Sequence, residues 1–350
     1  MGSGWGFYIT LLLVYLGVDI IACLGLNIQL GLAGVMDFAF IIFQAIGAYV
    51  YAIFTLGPPN AGLGQGAGGQ SYLWGTSLPF PLPYIMAMVA GAALAFFCAV
   101  VVLPRLRGDY EAMAFLVISL IATGIVTNQV GLFNGANGLY GIPQPFSGAL
   151  NLPTLQYDWF YVGLTAVICL LVWLVTRRIT TSPMGRLLRA VRENEQAARA
   201  LGKDANRARV FAFLVGGALG GLSGGVLVAF ITAWAPASWG YAETFVFITA
   251  IVVGGFGNDL GVLVGVLLVP VLFGELVRFL PSFGQASWVE AAQLMAYGLL
   301  TLLFLWFRPR GLIAERRRRY PAPADSLAPA VASSAAARIR ARLGPAGRSR

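Results

Sequence analysis

VFAFLVGGALGGLSGGVLVAFI, residues 210–231, runs twenty-two residues without a charge. An α-helix needs about 20 apolar residues to cross the hydrocarbon core of a bilayer. The stretch is therefore long enough to span, and its glycines say how it packs. Gly216, Gly220 and Gly224 fall four apart, as do Gly217, Gly221 and Gly225. On a helix these make two adjacent ridges of small residues that let another backbone approach closely. Gly221-Leu222-Ser223-Gly224-Gly225 also fits the GxSxG nucleophile pattern. The fit is formal, because it sits inside an apolar helix of a chain without histidine to act as base.

Seven further apolar runs lie around this one, at 7–26, 39–56, 84–103, 113–130, 160–176, 262–279 and 289–307. A ninth, 245–257, is too short for a full crossing and closes on the glycine-rich stretch 254–261. It reads as a half-helix, broken or re-entrant, which a membrane tolerates only where protein shields the backbone. The segment 27–38, with Gly31 and Gly34, reads as a second break. The fold expected is an all-α integral membrane protein, a polytopic bundle of about 8–10 transmembrane helices with one or two broken or re-entrant segments. The N-terminal run reads as a retained helix, since no Lys or Arg precedes Phe7.

Composition agrees. Of 350 residues 58% are apolar and 11% charged, with a mean hydropathy of +0.78, against roughly a quarter charged in a soluble domain. The absence of histidine excludes imidazole bases and His-ligated metals, and the three cysteines, Cys23, Cys98 and Cys169, are too scattered for a metal or disulfide framework. No cofactor is expected. The net charge of +9 belongs to the tail: residues 308–350 hold 11 of the 23 basic residues and 2 of the 14 acidic ones. It therefore argues for no nucleic-acid partner, but for a basic tail, 314–350, that touches anionic membrane lipid. The segments 57–82, 131–158 and 232–244 contain no Lys or Arg, whereas 104–110, 177–209 and 308–350 contain 2, 9 and 11. The two sets alternate, so the arginine-rich loops and the tail are expected on the cytoplasmic side. The permease domain is read as 1–313, with 177–209 as its cytoplasmic coupling segment.

That segment is the most informative polar stretch. Ser182 is an N-cap candidate, Pro183 suits the first helical position, and a helix is expected to run to Leu201 and stop at Gly202. Leu187, Val191, Ala198 and Leu201 form a thin apolar stripe flanked by charges of both signs, which favours a protein groove over lipid. The sole lysine, Lys203, is followed by Asp204, so no GxxxxGK[ST] phosphate loop exists and the chain cannot hydrolyse ATP by itself.

Gln196-Ala197-Ala198-Arg199-Ala200-Leu201-Gly202 resembles the coupling loop of ABC importer permeases. The surroundings resemble the LivM-type permeases of branched-chain amino-acid ABC transporters. Five more landmarks follow the same order. They are Leu24–Gly34 with Ile46-Gly47-Ala48-Tyr49, Arg105-Leu106-Arg107-Gly108-Asp109-Tyr110, Asn134–Pro143, Gly254–Gly261, and Phe307-Arg308-Pro309-Arg310-Gly311-Leu312. The chain departs from the pattern at Asp37-Phe38-Ala39 and at Leu120.

The resemblance implies a bacterial inner-membrane importer built from this permease, a homologous second permease, two ABC ATPase subunits and an extracytoplasmic solute-binding protein. It implies that Gly185, Arg186, Arg189, Arg192, Glu193, Glu195, Ala197, Ala198, Leu201 and Gly202 couple to the ATPase, the charged ones as rim ion pairs. Polar residues within spans are candidates for the translocation path: Asn27, Asp37, Gln44, Ser119, Thr123 and Asn128, with Asn27 and Asp37 preferred, and Asp19 and Thr127 as further candidates. Glu275 and Arg278 are expected to pair with each other. Asn134, Asn137, Tyr140, Trp234, Trp239 and Glu243 are the candidates for docking the binding protein. A related permease for urea, short amides or another small polar solute shares these landmarks. A membrane-embedded enzyme would need an acid/base or nucleophile set that the scattered carboxylates do not supply.

Overall fold

The computed structural model describes residues 2–58, 70–106, 108–150, 152–278 and 286–315. The chain divides into two compact units at Glu315/Arg316. The second, 316–350, lies outside the described residues, and with it the expectations for the basic tail.

The first unit is a helical bundle. Its principal helices are α1 (Gly2–Leu26), α2 (Phe40–Thr55), α3 (Leu82–Val102), α4 (Asp109–Asn128), α5 (Thr154–Thr181), α6 (Pro183–Glu193), α7 (Glu195–Ala200), α8 (Ala205–Ile231), α9 (Tyr241–Gly254), α10 (Asp259–Val266), α11 (Gly274–Arg278) and α12 (Ala286–Phe307). Seven stretches among the described residues are long and apolar enough to cross a membrane, and Phe40–Thr55 and Ala291–Phe307 are shorter apolar helices beside them. The ends are set by local chemistry. Asp204 caps α8 by accepting from the Arg207 N–H at 3.1 Å, and Asn258 caps α10 by accepting from the Leu260 N–H at 3.1 Å. Pro81 and Pro83 open α3, where a missing N–H costs nothing.

The centre of the bundle is α8, and its glycine ridges do what their spacing predicts. Gly47 of α2 and Gly91 of α3 both lie against the backbone of Gly221. A Cβ on Gly221 would run into the Ala87 carbonyl, and one on Gly224 into the Gln44 carbonyl. The ridge of Gly216, Gly220 and Gly224 seats the end of α1 and α2; that of Gly217, Gly221 and Gly225 seats α3. Lipid tails are as apolar as leucine, so it is this close approach rather than hydrophobicity that selects the pairing. One buried ion pair joins the set: Arg209 of α8 to Glu111 of α4 at 2.6 Å. Glu111 follows Asp109 in the first turn of α4, where the helix dipole favours acids.

Three departures from regular helix matter. The chain leaves α1 through a wide π-type turn, Asn27–Leu32, and then runs without helix through Gly34–Asp37 before α2 begins. This is the break expected at 27–38. A second wide turn, Leu267–Phe273, absorbs Pro270 and joins α10 to α11. The third, at 255–258, separates α9 from α10 and corrects the half-helix expected at 245–257. Helix α9 begins four residues earlier, at Tyr241, and the 3-10 turn Pro236–Ser238 lengthens the apolar stretch to Pro236–Gly254. Glu243 and Thr244 had disguised its first turn as loop. It is also not re-entrant, because its two termini lie at opposite ends of the bundle. Tyr241 adjoins the loops after α8, while Gly257 sits against Gly31 and Arg192.

One end, the loop end, is tied by a two-stranded antiparallel ribbon of β1 (Leu139–Tyr140) and β2 (Ala233–Trp234), Leu139 opposite Trp234. The opposite, arginine end carries α6 and α7. Replacing Gly221 by Val places side-chain atoms where the Ala87 carbonyl lies. An overpacking cost of about 1–3 kcal/mol or more should show as loss of the monodisperse species in detergent size-exclusion. Gly124→Ala, facing open space on α4, should leave that profile unchanged.

Candidate functional site

The segment after α5 turns sharply at Ser182, whose backbone is extended and whose Oγ accepts the Gly185 N–H at 3.3 Å. Pro183 occupies the first helical position, as expected. The single helix expected over 183–201 is two. Asn194 breaks it in an extended conformation (φ −156°) and its Oδ1 caps α7 through the Ala197 N–H at 2.9 Å. Asparagine's short acceptor competes with the helix ladder, which is why a cap forms inside an otherwise helical pattern. The pair ends at Gly202, whose φ of +74° is the left-handed stop that glycine provides.

Gly185, Leu188, Val191 and Ala198 face inward. Arg186, Glu193, Ala197, Leu201 and Gly202 face outward, and Leu201 is 80% exposed. Of the stripe expected from Leu187, Val191, Ala198 and Leu201, Val191 and Ala198 are buried and Leu187 half-buried, while Leu201, beyond the break at Asn194, is turned out. Two of the arginines expected at the rim, Arg189 and Arg192, also make contacts within the chain. Both turn inward to Glu315, Arg189 Nε at 2.5 Å and Arg192 Nη2 at 2.7 Å from its two carboxylate oxygens. Arg192 Nη1 donates to the Gly31 carbonyl, and Arg189 Nη1 to the Thr180 carbonyl at 3.1 Å. Glu195 pairs within α7, to Arg199 at 2.5 Å.

This places the helix pair on a junction of three other segments. Asn27 Oδ1 accepts the Gly257 N–H at 3.0 Å, tying the wide turn after α1 to the turn after α9. The Leu312 and Ile313 N–H groups donate to the Val253 and Gly254 carbonyls at 2.8 and 3.0 Å, laying the chain beyond α12 along the end of α9. Gly34, at φ +72°, passes against the Arg192 side chain, and a Cβ on Gly257 would meet both Arg192 and Glu315. Three of the motifs quoted from the sequence, 24–34, 182–202 and 254–261, therefore meet around one guanidinium, and a fourth, 307–312, packs beside them on the end of α9. Glu111, Arg209 and Glu315 were not among the sequence candidates. Glu315 follows the last apolar run by only eight residues and resembled part of the tail.

The path candidates separate. Asn27 and Asp37 are both fully buried within the chain, Asp37 Oδ1 accepting the Ala39 N–H at 2.9 Å at the start of α2. Neither presents its side chain to an open surface of this chain. Gln44 is buried against α8. Ser119 is buried, while Thr123, Thr127 and Asn128 bond back to the carbonyls of Ser119, Thr123 and Gly124 along α4 at 2.8–2.9 Å. Glu275 accepts from the Tyr8 hydroxyl; the side chain of Arg278 lies outside the described residues.

At the loop end the structure brings the two loops that carry the six docking candidates together through the β1–β2 ribbon. Asn134, in the left-handed region at φ 64°, brackets the loop by accepting the Ser71 N–H at 3.3 Å and donating to the Gly138 carbonyl at 2.7 Å. Trp234 and Trp239 are buried, Trp239 Nε1 donating to Tyr49 at 3.4 Å. Asn137, Tyr140 and Glu243 are the exposed members. Beside the ribbon lies a cavity of about 440 Å³ lined by Tyr51, Pro79, Phe80, Tyr84 and Phe146 among others.

Residues 8–306 match the family described as the permease component of branched-chain amino acid transport systems. The chain belongs to that family. It is 31% identical to the high-affinity branched-chain amino acid transport system permease protein LivM of Escherichia coli K12 over 88% of this chain and 69% of that one. It is 29% identical to a probable LivM permease of Methanocaldococcus jannaschii over 88% and 94%. It is 26% identical to the guanosine ABC transporter permease protein NupQ of Bacillus subtilis over 65% and 66%. No solved structure matches. The relatives are all transport permeases, and as a member of this permease family the chain carries the arginine-centred junction as the site where its surface helices meet its membrane helices.

Glu315→Gln removes the charge shared by Arg189 and Arg192. A double-mutant cycle with Arg192→Lys should return a coupling of about 1–3 kcal/mol in detergent thermal unfolding. Hydrogen exchange across 185–193 should quicken in either single variant. Strictly additive effects would show that the contact carries no energy.

Proposed function

We propose that the chain is one permease subunit of an ATP-driven ABC importer of branched-chain amino acids in a bacterial inner membrane. It works with a homologous second permease, two ATPase subunits and an extracytoplasmic solute-binding protein. The alternation of arginine-rich and arginine-free loops supports a cytoplasmic arginine end and C-terminal tail. The binding protein then meets the opposite end at Asn137, Tyr140, Glu243 and the cavity beside them.

Having no phosphate loop, the chain hydrolyses no ATP and takes mechanical work from a partner. The observation that carries this reading is the orientation of the α6–α7 pair. Its inner face is held by Arg189 and Arg192, and its outer face offers Leu201, 80% exposed, beside the left-handed Gly202. A large apolar side chain held out on a clamped helix is an anchor for a hydrophobic cleft, and the charges around it, Arg186 and Glu193, give recognition more than energy. Work delivered to this lever reaches α1, α9 and the end of α12 through the junction, because their backbones bond to it or to one another.

In proteoliposomes holding the co-purified complex, leucine-, isoleucine- or valine-loaded binding protein should accelerate ATP hydrolysis. Leu201→Asp should lower that acceleration about tenfold, equivalent to roughly 1.4 kcal/mol, with the permease pair still assembled. Full acceleration in L201D would remove the anchor. Acceleration by guanosine, urea or a short amide in place of the amino acids would move the solute elsewhere in the family.

A further inference from the structure

The stretch between the wide turn and α2 has a feature that the path candidates missed. Side chains alternate along it as on a strand: Ala33, Val35, Asp37 and Ala39 are buried, Gly34 and Met36 exposed and Phe38 half-exposed. Met36 is 55% exposed. One end lies beside Arg192 through Gly34. The other reaches well up α9, where the Phe38 ring lies 5.0 Å from Phe245 and the Ile41 N–H donates to Thr244 Oγ1 at 3.2 Å. Nine residues separate Phe245 from the end of α9 at Gly254, about 13 Å of helix. Non-helical backbone thus rises through a substantial part of the bundle with one flank uncovered. Such backbone is not left facing lipid, where its polar groups would find no partner; it lines a water-filled path or lies against protein.

We infer that Met36 is the gating side chain of the solute path: an apolar, adaptable group on a non-helical strap whose one end is moved by the coupling helix. The strap is anchored at both ends, by Arg192 at Gly31 and Gly34 and by the Asp37 cap at α2. Displacement of α6 acts on Gly31–Gly34 while α2 stays packed on the glycines of α8. The residues between take up the change, and Met36 is the large side chain there that projects from the bundle. Methionine's unbranched, polarizable thioether suits close contact with aliphatic side chains of differing shape while closing the opening between cycles. The inference rests on the importer reading above and adds to it the residue that meets the solute.

The test uses the full complex in proteoliposomes, with Met36→Cys in this chain and Cys169→Ala to remove the one cysteine that is not buried. A hydrophilic methanethiosulfonate should label the M36C thiol, at rates differing several-fold between the nucleotide-free and ADP–vanadate-trapped states. Met36→Trp should cut solute uptake several-fold while receptor-stimulated ATP hydrolysis persists. Lack of labelling in both states, or a nucleotide-independent cross-link from M36C to the second permease, would overturn the gate and make Met36 an interface residue. So would undiminished uptake in M36W. If loaded binding protein fails to stimulate the unsubstituted complex, the importer reading fails instead, and labelling of M36C against nucleotide alone still decides the gate.

Discussion

Direct contact between main chains holds this bundle together. Where Gly47, Gly91 and Gly221 meet, three helices share a space that no side chain occupies. In lipid no hydrophobic gain separates one helix pairing from another, so van der Waals contact at this range has to do so. Helix α8 is the rigid body that results, and α2 and α3 take their places from it.

Against that centre the chain places its irregular backbone on one side and at one end. The wide turn Asn27–Leu32, the turn at 255–258 and the chain beyond α12 each carry backbone groups that lipid cannot satisfy. They satisfy one another instead: Asn27 with Gly257, Leu312 and Ile313 with the last carbonyls of α9, and Gly31 with Arg192. Arginine suits the last position because its planar fork can hold a carboxylate and a carbonyl together. Lysine would offer a point charge in its place. The surface helix pair is thereby fastened to the part of the bundle least constrained by the glycine centre. Motion imposed at that surface has somewhere to go.

Membership of the branched-chain permease family and this geometry explain each other. The motifs by which the chain resembles its relatives are spread over nearly 300 residues, yet four of them meet at one place. A glycine at Gly34, Gly255, Gly257 or Gly311 adopts a positive φ and lies against neighbouring chain. Glycine at these positions answers crowding at a junction.

Membrane class, the two glycine ridges and the cap at Ser182 were all determined by sequence alone. Each depends on spacing or residue type within a few turns of one element, and local rules govern those. The sequence also marked 183–202 as the surface segment, since polar residues of both signs have no place within lipid. Only the tertiary structure decided which way the arginines turn. Arg189 and Arg192 look like rim charges until Glu315, over a hundred residues away, claims them. It likewise decided that Asn27 and Asp37 hold backbone while Met36, unremarkable in the sequence, stands exposed. Polarity tells which side chains need a partner; only packing tells which of them have found one inside the chain.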